Sequence, residues 1–504
     1  MNLVDMLERN AAKFADKDCL RYNSQGLTFA ELYARAEEAA GLLQSWGVTK
    51  GDKVAIMSYN TPAYVVAFYG ALKAGAAVVP VNHKLAAPEV SYILEHSEAK
   101  ALFFDGMLGE VVRKVSVRAR MVAIDSDAEG FESFEKLLDK APAFTPVSIE
   151  NHDLAEILYT SGTTGKPKGC LHSHKNVIFA GITGALAMKM DEQDRLLMAM
   201  PIWHSSPLNN WFIGAQFMGA TTVLLRDYHP LRFLQAVQDE KCTIYFGAPI
   251  SYIMPLQIVP NFSDFNLSSM RCWIYGGGPI AGDTVVMLME KYQSDNFFQV
   301  YGMTEAGPTG TVLFPRDQIR KAGSIGQNAL PGADLRVMKS DTEPAVPGET
   351  GEIWLKGDSI MAGYYKNPRA TAEAFCNGWY KTGDVARLDN DGYLYIVDRT
   401  KDMIVTGGEN VYSKEVEDAI VGHPGVMEAA VIGQPHNQWG ETVVAFVVLK
   451  TDAVVNEKEL KEYLVEKLAK YKIPRDIHFT ATLPHTPTGK VKKFELREKN
   501  TQCR

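Results

Sequence analysis

At 504 residues, with 46% hydrophobic and 22% charged positions, 41 Gly and 24 Pro, the chain is too long for one ordinary core and has the make-up of a loop-rich globular α/β protein of at least two domains. A formal net charge of −8 gives none of the basic footprint that a nucleic-acid binder needs, so no nucleic-acid partner is expected and anionic substrates must be held by local features. The six cysteines (Cys19, Cys170, Cys242, Cys272, Cys376, Cys503) are scattered and never fall in a C-x-x-C pair, which argues against a zinc site or disulfide framework and for reduced thiols in the cytoplasm.

The first ten residues place Asp5 and Glu8 where a secretion signal would need a cationic start and an unbroken apolar stretch, so none is expected. From Lys53 the pattern reads as a strand (54–57), a helix (about 61–73) and a strand (77–81), punctuated by Asn60 and by Ala74-Gly75. This is the most apolar region, but Lys73 and Pro80 interrupt it; buried α/β packing is expected, not a membrane span. The same rhythm recurs at 101–104, 221–225 and 243–246, which predicts largely parallel sheets covered by helices. After about residue 330 short alternating strands with Gly-rich turns, such as 351–355 and 392–396, predict a β-rich subdomain. Past Asp398 a compact unit follows, with strands at 429–432 and 443–449. A helix starts at Asn456, whose side chain can cap it while Glu459 bonds back, with Leu460, Leu464 and Leu468 on one face. The fold class is therefore α/β: a large N-terminal domain, 1–400, whose β-rich subdomain spans about 330–400, then a small α+β C-terminal domain, 401–504.

The most specific stretch is Leu158-Tyr159-Thr160-Ser161-Gly162-Thr163-Thr164-Gly165-Lys166-Pro167-Lys168-Gly169, an apolar strand running into hydroxyls, glycines and lysines. Glycines let backbone N–H groups turn inward around an anion, hydroxyls donate further hydrogen bonds or reach a magnesium ion, and lysine offsets triphosphate charge. It is not a Walker loop: Gly162 and Gly165 are too close together, and Pro167 stands where that motif needs Ser or Thr. Further motifs follow in order: Pro201-Ile202-Trp203-His204, Tyr275-Gly276-Gly277-Gly278-Pro279, Gln299-Val300-Tyr301-Gly302-Met303-Thr304-Glu305, Tyr380-Lys381-Thr382-Gly383-Asp384, the run from Asp398 to Asn410, and Pro487-Thr488-Gly489-Lys490. With the phosphate loop and this order, nearly the whole chain resembles the adenylate-forming superfamily, which includes acyl-CoA synthetases, the adenylation domains of peptide synthetases, and luciferases; the acyl-CoA synthetase branch, for fatty or aryl acids, fits best.

That resemblance implies a reaction in which ATP activates a carboxylic acid as an acyl-adenylate and the acyl group passes to coenzyme A, with Mg2+ as cofactor. It implies that Ser161, Gly162, Thr163, Thr164, Gly165 and Lys168 cradle phosphates. Tyr301 would stack on adenine among Gln299, Gly302, Met303 and Thr304, while Gly277, Gly278 and Pro279 would let backbone approach base and substrate. Glu305 would be the hard oxygen ligand of magnesium, with Thr160 as hydroxyl partner. Asp384 would accept the ribose hydroxyls, and Arg399 would reach the ribose or the phosphate. Lys490 is the lysine assigned to charge building on the α-phosphate; Lys492 and Lys493 lack the motif match. His204 would gate the thiol channel, and Gly407 and Gly408 belong to the loop that meets coenzyme A. Lys401 sits where the family places the hinge of a mobile C-terminal domain.

His172 and His174 have the H-x-H spacing of a metal pair but no partner acids nearby in the sequence; residues 171–176 read instead as a strand-to-helix junction. The chain departs from many relatives at Gly247-Ala248-Pro249-Ile250 and across 205–211, both expected to line the acyl pocket. Trp203, Trp211, Phe246 and Pro249 would make that pocket neutral, suiting fatty, branched, cyclic or aromatic acids alike. An adenylation enzyme that loads a carrier protein in trans is the alternative reading. Oligomeric state stays open, a homodimer included.

Overall fold

The strand Lys53–Met57 shows how the interior is divided: Val54 and Ile56 enter one apolar cluster, Ala55 and Met57 another on the opposite face, the period-two alternation of a strand buried on both sides. The same split runs through Arg195–Met198, Ile244–Gly247 and Cys272–Gly276, where Leu196, Ile244 and Ile274 face inward and Leu197, Tyr245 and Trp273 face outward. The computed structural model describes residues 1–160, 167–278, 280, 282–399, 402–406, 409–436, 440–465, 467–468, 470–485 and 491–502. The chain divides into two compact units, the first built from Met1–Thr160, Pro167–Leu335 and Leu355–Tyr380, the second from described residues within Arg336–Trp354 and Lys381–Arg504.

The first unit holds two eight-stranded sheets. One runs in the order 311–313, 297–301, 272–276, 244–247, 195–198, 221–224, 18–22, 25–28, parallel except for the hairpin-type pairings at its two ends. The other runs 363–364, 168–173, 154–160, 77–80, 53–57, 99–105, 120–124, 132–133, antiparallel in its first two pairings and parallel from Leu154–Thr160 onward. The inner faces of both sheets share one cluster with the helices Leu3–Lys13, Phe29–Ser45, Pro62–Lys73 and His174–Ala187. Pro62–Lys73 is buried at every position from Ala63 on, which explains its all-round apolar sequence. Its single charge, Lys73, lays its stem along the core. Its ammonium lies 3.8 Å from the Tyr33 ring centre and 3.3 Å from Glu37 Oε1. Among the described residues no helix is long and apolar enough to cross a membrane.

Residues 333–399 form the expected β-rich stretch, a five-stranded sheet in the order 333–338, 350–357, 379–388, 375–376, with 394–399 also pairing 379–388. A second five-stranded sheet lies within the second unit, in the order 409–411, 404–406, 440–449, 426–436, with 476–479 parallel to 440–449. The Asn456 side chain caps its helix Glu457–Val465: Glu459 N donates to Asn456 Oδ1 at 3.0 Å, and Leu460 and Leu464 are fully buried. Leu468 lies past the helix end but packs on the same cluster.

Candidate active site

The strands Leu154–Thr160 and Lys168–Ser173, which flank in sequence the stretch expected to bind phosphate, form an antiparallel pair in which Thr160 lies opposite Lys168 and donates its Oγ1 hydrogen to the Lys168 carbonyl at 3.4 Å. Ser161, Gly162, Thr163, Thr164, Gly165, Pro279, Lys401, Gly407, Gly408 and Lys490 lie outside the described residues, as does the Arg399 side chain. Lys168 Nζ sits 4.2 Å from the centre of the Tyr364 ring, and the Tyr364 hydroxyl donates to Glu305 Oε1 at 3.2 Å. One phenol thus joins the loop lysine to the carboxylate expected to hold magnesium.

Glu305 stands in the short turn Thr304–Ala306 that follows strand Phe297–Tyr301, so the sheet delivers Gln299, Tyr301 and Glu305 to one carboxyl edge, where ligands of parallel sheets bind. Gln299 is buried and accepts from the Tyr275 hydroxyl at 3.4 Å; Tyr301 is half-buried. Gly302 must be glycine, because a Cβ there would collide with the Pro308 carbonyl oxygen. Gly277 has φ +80° and Gly278 lies near it, both with open space where a Cβ would point, as a ligand-facing backbone requires. Met303 packs with Cys170, Met361, Tyr364 and Tyr380.

Thr304 and Ser205 exchange a hydroxyl hydrogen bond at 2.9 Å, which ties the stretch ending in His204 to the one ending in Glu305. His204 is half-buried, its ring 5.8 Å from that of Trp203. The Trp203 indole donates to His83 Nδ1 at 2.9 Å, and the His83 ring lies 4.2 Å from that of Tyr59. Burial pushes His83 down to about 4, so its imidazole is the neutral acceptor that this bond needs. Residues 206–212 form a π-helical turn, a geometry frequent at functional sites. It buries Trp211 against Phe246 in a stacked pair 5.4 Å apart and directs the Asn209 amide to Glu156 Oε1. Pro249, half-buried, opens the helix Pro249–Ile258 just after Phe246.

Within the second unit, Asp384 is buried in strand Trp379–Leu388, opposite Arg399, with its N–H on Thr382 Oγ1 at 3.0 Å. The H-x-H pair is the junction expected: His172 is fully buried and pushed down to about 4, while His174 Nδ1 accepts from Leu3 N–H at 3.3 Å. Among the described residues no group of three His, Cys, Asp or Glu could hold a metal by itself. Sequence reasoning missed Tyr364, His83 and Glu156, each of which acts across more than fifty positions and carries no local spacing signal.

Residues 7–365 match the family described as AMP-binding enzyme, and residues 415–490 match the AMP-binding enzyme C-terminal domain. The chain is 37% identical over 475 residues, 94% of its length and 93% of the relative's, to the long-chain-fatty-acid–CoA ligase FadD13 of Mycobacterium tuberculosis. It is 36% identical to the feruloyl-CoA synthase of an Amycolatopsis species, covering 97% of each chain. Its fold is similar to that of the o-succinylbenzoate CoA synthetase of Bacillus subtilis in complex with the acyl-adenylate intermediate, with a TM-score of 0.86 and 32% identity over 98% of this chain and 97% of that one.

Proposed function

The chain belongs to the AMP-binding enzyme family, and from that membership we propose its reaction: an AMP-forming acid–thiol ligase that activates a fatty, cyclic or aromatic monocarboxylic acid with ATP and transfers the acyl group to coenzyme A. In the first step a carboxylate oxygen attacks the α-phosphorus and the bond to pyrophosphate breaks, giving acyl-AMP. In the second the coenzyme's sulfur attacks the acyl carbon and AMP leaves. The observation that supports the reading is the Lys168–Tyr364–Glu305 link, beside the strand that ends in Tyr301, in which we take Lys168 as the phosphate-side cation and Glu305 as the metal-side carboxylate.

In this assignment Ser161 to Gly165 and Lys168 take the phosphates, Tyr301 the adenine, Asp384 and Arg399 the ribose side, and Gly407 and Gly408 the coenzyme. Glu305 and Thr160 would hold Mg2+, which supplies neutralisation of phosphate charge. Lys490 acts on charge that grows at the α-phosphate in the transition state. His204 gates the thiol's approach. The acyl group rests against Trp211 and Phe246. The stretches proposed to line the acyl site, around Trp203, Trp211, Phe246 and Pro249, carry no charged side chain to pair with an α-ammonium, whose burial would cost several kcal/mol. Amino acids are expected to be poor substrates. A cytoplasmic location is supported by the cysteines among the described residues, all of which are free thiols.

Pyrophosphate release across a panel of fatty, cyclic, aryl and amino acids, with coenzyme A, with a carrier protein or with neither, tests this. Thioester formation with coenzyme A from a non-amino monocarboxylate is expected. Better turnover of amino acids, or transfer to the carrier alone, would overturn the proposal.

A further inference from the structure

We propose that Tyr364 is a positioning residue that holds Lys168 and Glu305 apart and aimed, so that both charges meet the magnesium nucleotide unneutralised. The inference rests on reading Lys168 and Glu305 as the phosphate-side and metal-side groups. A lysine and a glutamate facing one another at the edge of a nucleotide site would otherwise tend to pair with each other, and an ion pair already made offers less charge to a ligand. Among the described residues no direct ion pair joins these two; each instead touches a different part of one phenol, the ammonium the ring face at 4.2 Å and the carboxylate the hydroxyl at 3.2 Å. The ring face attracts a cation and the O–H donates to an anion, so one neutral side chain satisfies both without cancelling either.

The backbone around Tyr364 is fixed to both partners' elements. Gly363 and Tyr364 pair antiparallel with Leu171 and Cys170, on the strand that begins with Lys168. Tyr365 N–H donates to the Gly169 carbonyl at 2.7 Å and Ala362 N–H to that of Leu171 at 2.9 Å. On the other side Met361 N–H donates to the Glu305 carbonyl at 2.9 Å, and Ser359 Oγ to that of Ala306 at 3.0 Å. Tyr364 N–H is held by Thr371 Oγ1 at 2.9 Å, and Gly363 beside it (φ +151°) has no room for a side chain, since a Cβ would lie 2.7 Å from Thr371 Cγ2. The phenol itself is 8% exposed, packed with Cys170, Met361 and Tyr380. Segment 359–365 is thus a clasp between the lysine's strand and the glutamate's turn, and the phenol is the side chain it presents to both charges.

Two substitutions separate the two contacts. Tyr364→Phe keeps the ring and removes the donor; Tyr364→Leu removes both. In the full-length enzyme, Tyr364→Phe is expected to raise the free magnesium needed for half-maximal pyrophosphate release roughly tenfold, the scale of one hydrogen bond to a charged group, with KM for ATP within about twofold of wild type because the ring contact survives. Tyr364→Leu should shift both. Titration calorimetry with ATP in the presence and absence of magnesium, without any acid, gives a readout independent of turnover: Tyr364→Phe should weaken binding only when magnesium is present. Glu305→Gln and Lys168→Ala identify which idea fails. If Glu305→Gln leaves the magnesium dependence unchanged, the assignment of Glu305 falls. If Glu305→Gln shifts it and Tyr364→Phe does not, or if Phe and Leu behave alike, the positioning role of Tyr364 is refuted. Should Tyr364→Leu fail to fold, judged by thermal melting, the Phe variant and its calorimetry decide alone.

Discussion

Glu156 offers the sharpest quantitative test of the interior on which the acyl site is built. It lies on strand Leu154–Thr160, fully buried, four positions before Thr160; Asn209 Nδ2 donates to its Oε1, and its Oε2 has no hydrogen-bond partner among the described residues. Loss of hydration pushes the carboxyl from 4.5 up to about 8, against the smaller opposing effect of the Asn209 hydrogen bond. Below pH 4.5 both folded and unfolded chains hold this proton and the group is neutral to stability. Between that pH and about 8 only the folded chain holds it, so stability falls as pH rises and levels off above. Integrating the difference gives a destabilisation of about 3 kcal/mol at pH 7 and about 5 kcal/mol at pH 9. Glu156→Gln retains an acceptor for Asn209 and cannot ionise. Thermal or urea unfolding of both proteins from pH 4.5 to 9 should therefore show near-equal stability at the acid end and a growing advantage for Glu156→Gln toward the basic end. Parallel curves would refute the reasoning, because they would mean that Glu156 titrates normally in the folded chain.

Three other perturbations address the chemistry. Lys490→Ala is expected to slow adenylate formation by roughly a hundredfold or more, the cost of losing one preorganised charge-stabilising group, while acyl-CoA formation from supplied acyl-AMP stays near wild type; wild-type adenylation would remove its first-step role, and comparable loss of both steps would refute its absence from the second. Gly302→Ala drives a Cβ into the Pro308 carbonyl and should raise KM for ATP with the thermal midpoint lowered, whereas wild-type nucleotide binding would show that the turn after Tyr301 tolerates displacement. His83→Phe leaves the Trp203 indole N–H without its 2.9 Å acceptor, a loss of about 1–3 kcal/mol. It should raise KM for the acid more than it lowers kcat, with partial recovery in His83→Gln; an unchanged KM would separate Trp203 from the acid site.

What the sequence made legible was whatever repeats locally. The strands read at 54–57 and 243–246 and the helix ending at Lys73 follow from alternation and apolar content, and the cap at Asn456 from a single residue spacing. The motifs ending in His204 and Glu305 could be ordered along the chain, yet their joining through Ser205 and Thr304 depends on which loops meet at the carboxyl edges of the sheets. Two sheets sharing one inner layer were not readable, because a strand buried on both faces looks the same in one sheet or in two. The π-helical turn at 206–212 showed only as an unusually polar and aromatic stretch; its geometry answers to Glu156, some fifty residues earlier. Tyr364 was invisible for a related reason: a tyrosine at a sheet edge has no pattern of its own, and its meaning comes entirely from what stands on either side of it.

The helix Pro62–Lys73, apolar on every side, also sets a schedule for the chain as it leaves the ribosome. Its main packing partners are the helices Leu3–Lys13 and Phe29–Ser45 and the strands Lys53–Met57 and Ala77–Pro80, all synthesised by residue 80, so its cover can form from its own neighbourhood. At about 5–20 residues per second the stretch from Lys73 to Pro80 takes less than about 2 s. Stalled chains ending near residue 180 should therefore hold this helix covered, with no more capture of a hydrophobic dye or a holdase chaperone by it than in chains extended past residue 310. Stronger capture at the shorter length, lost when the helix is made polar, would mean that its burial waits for later strands.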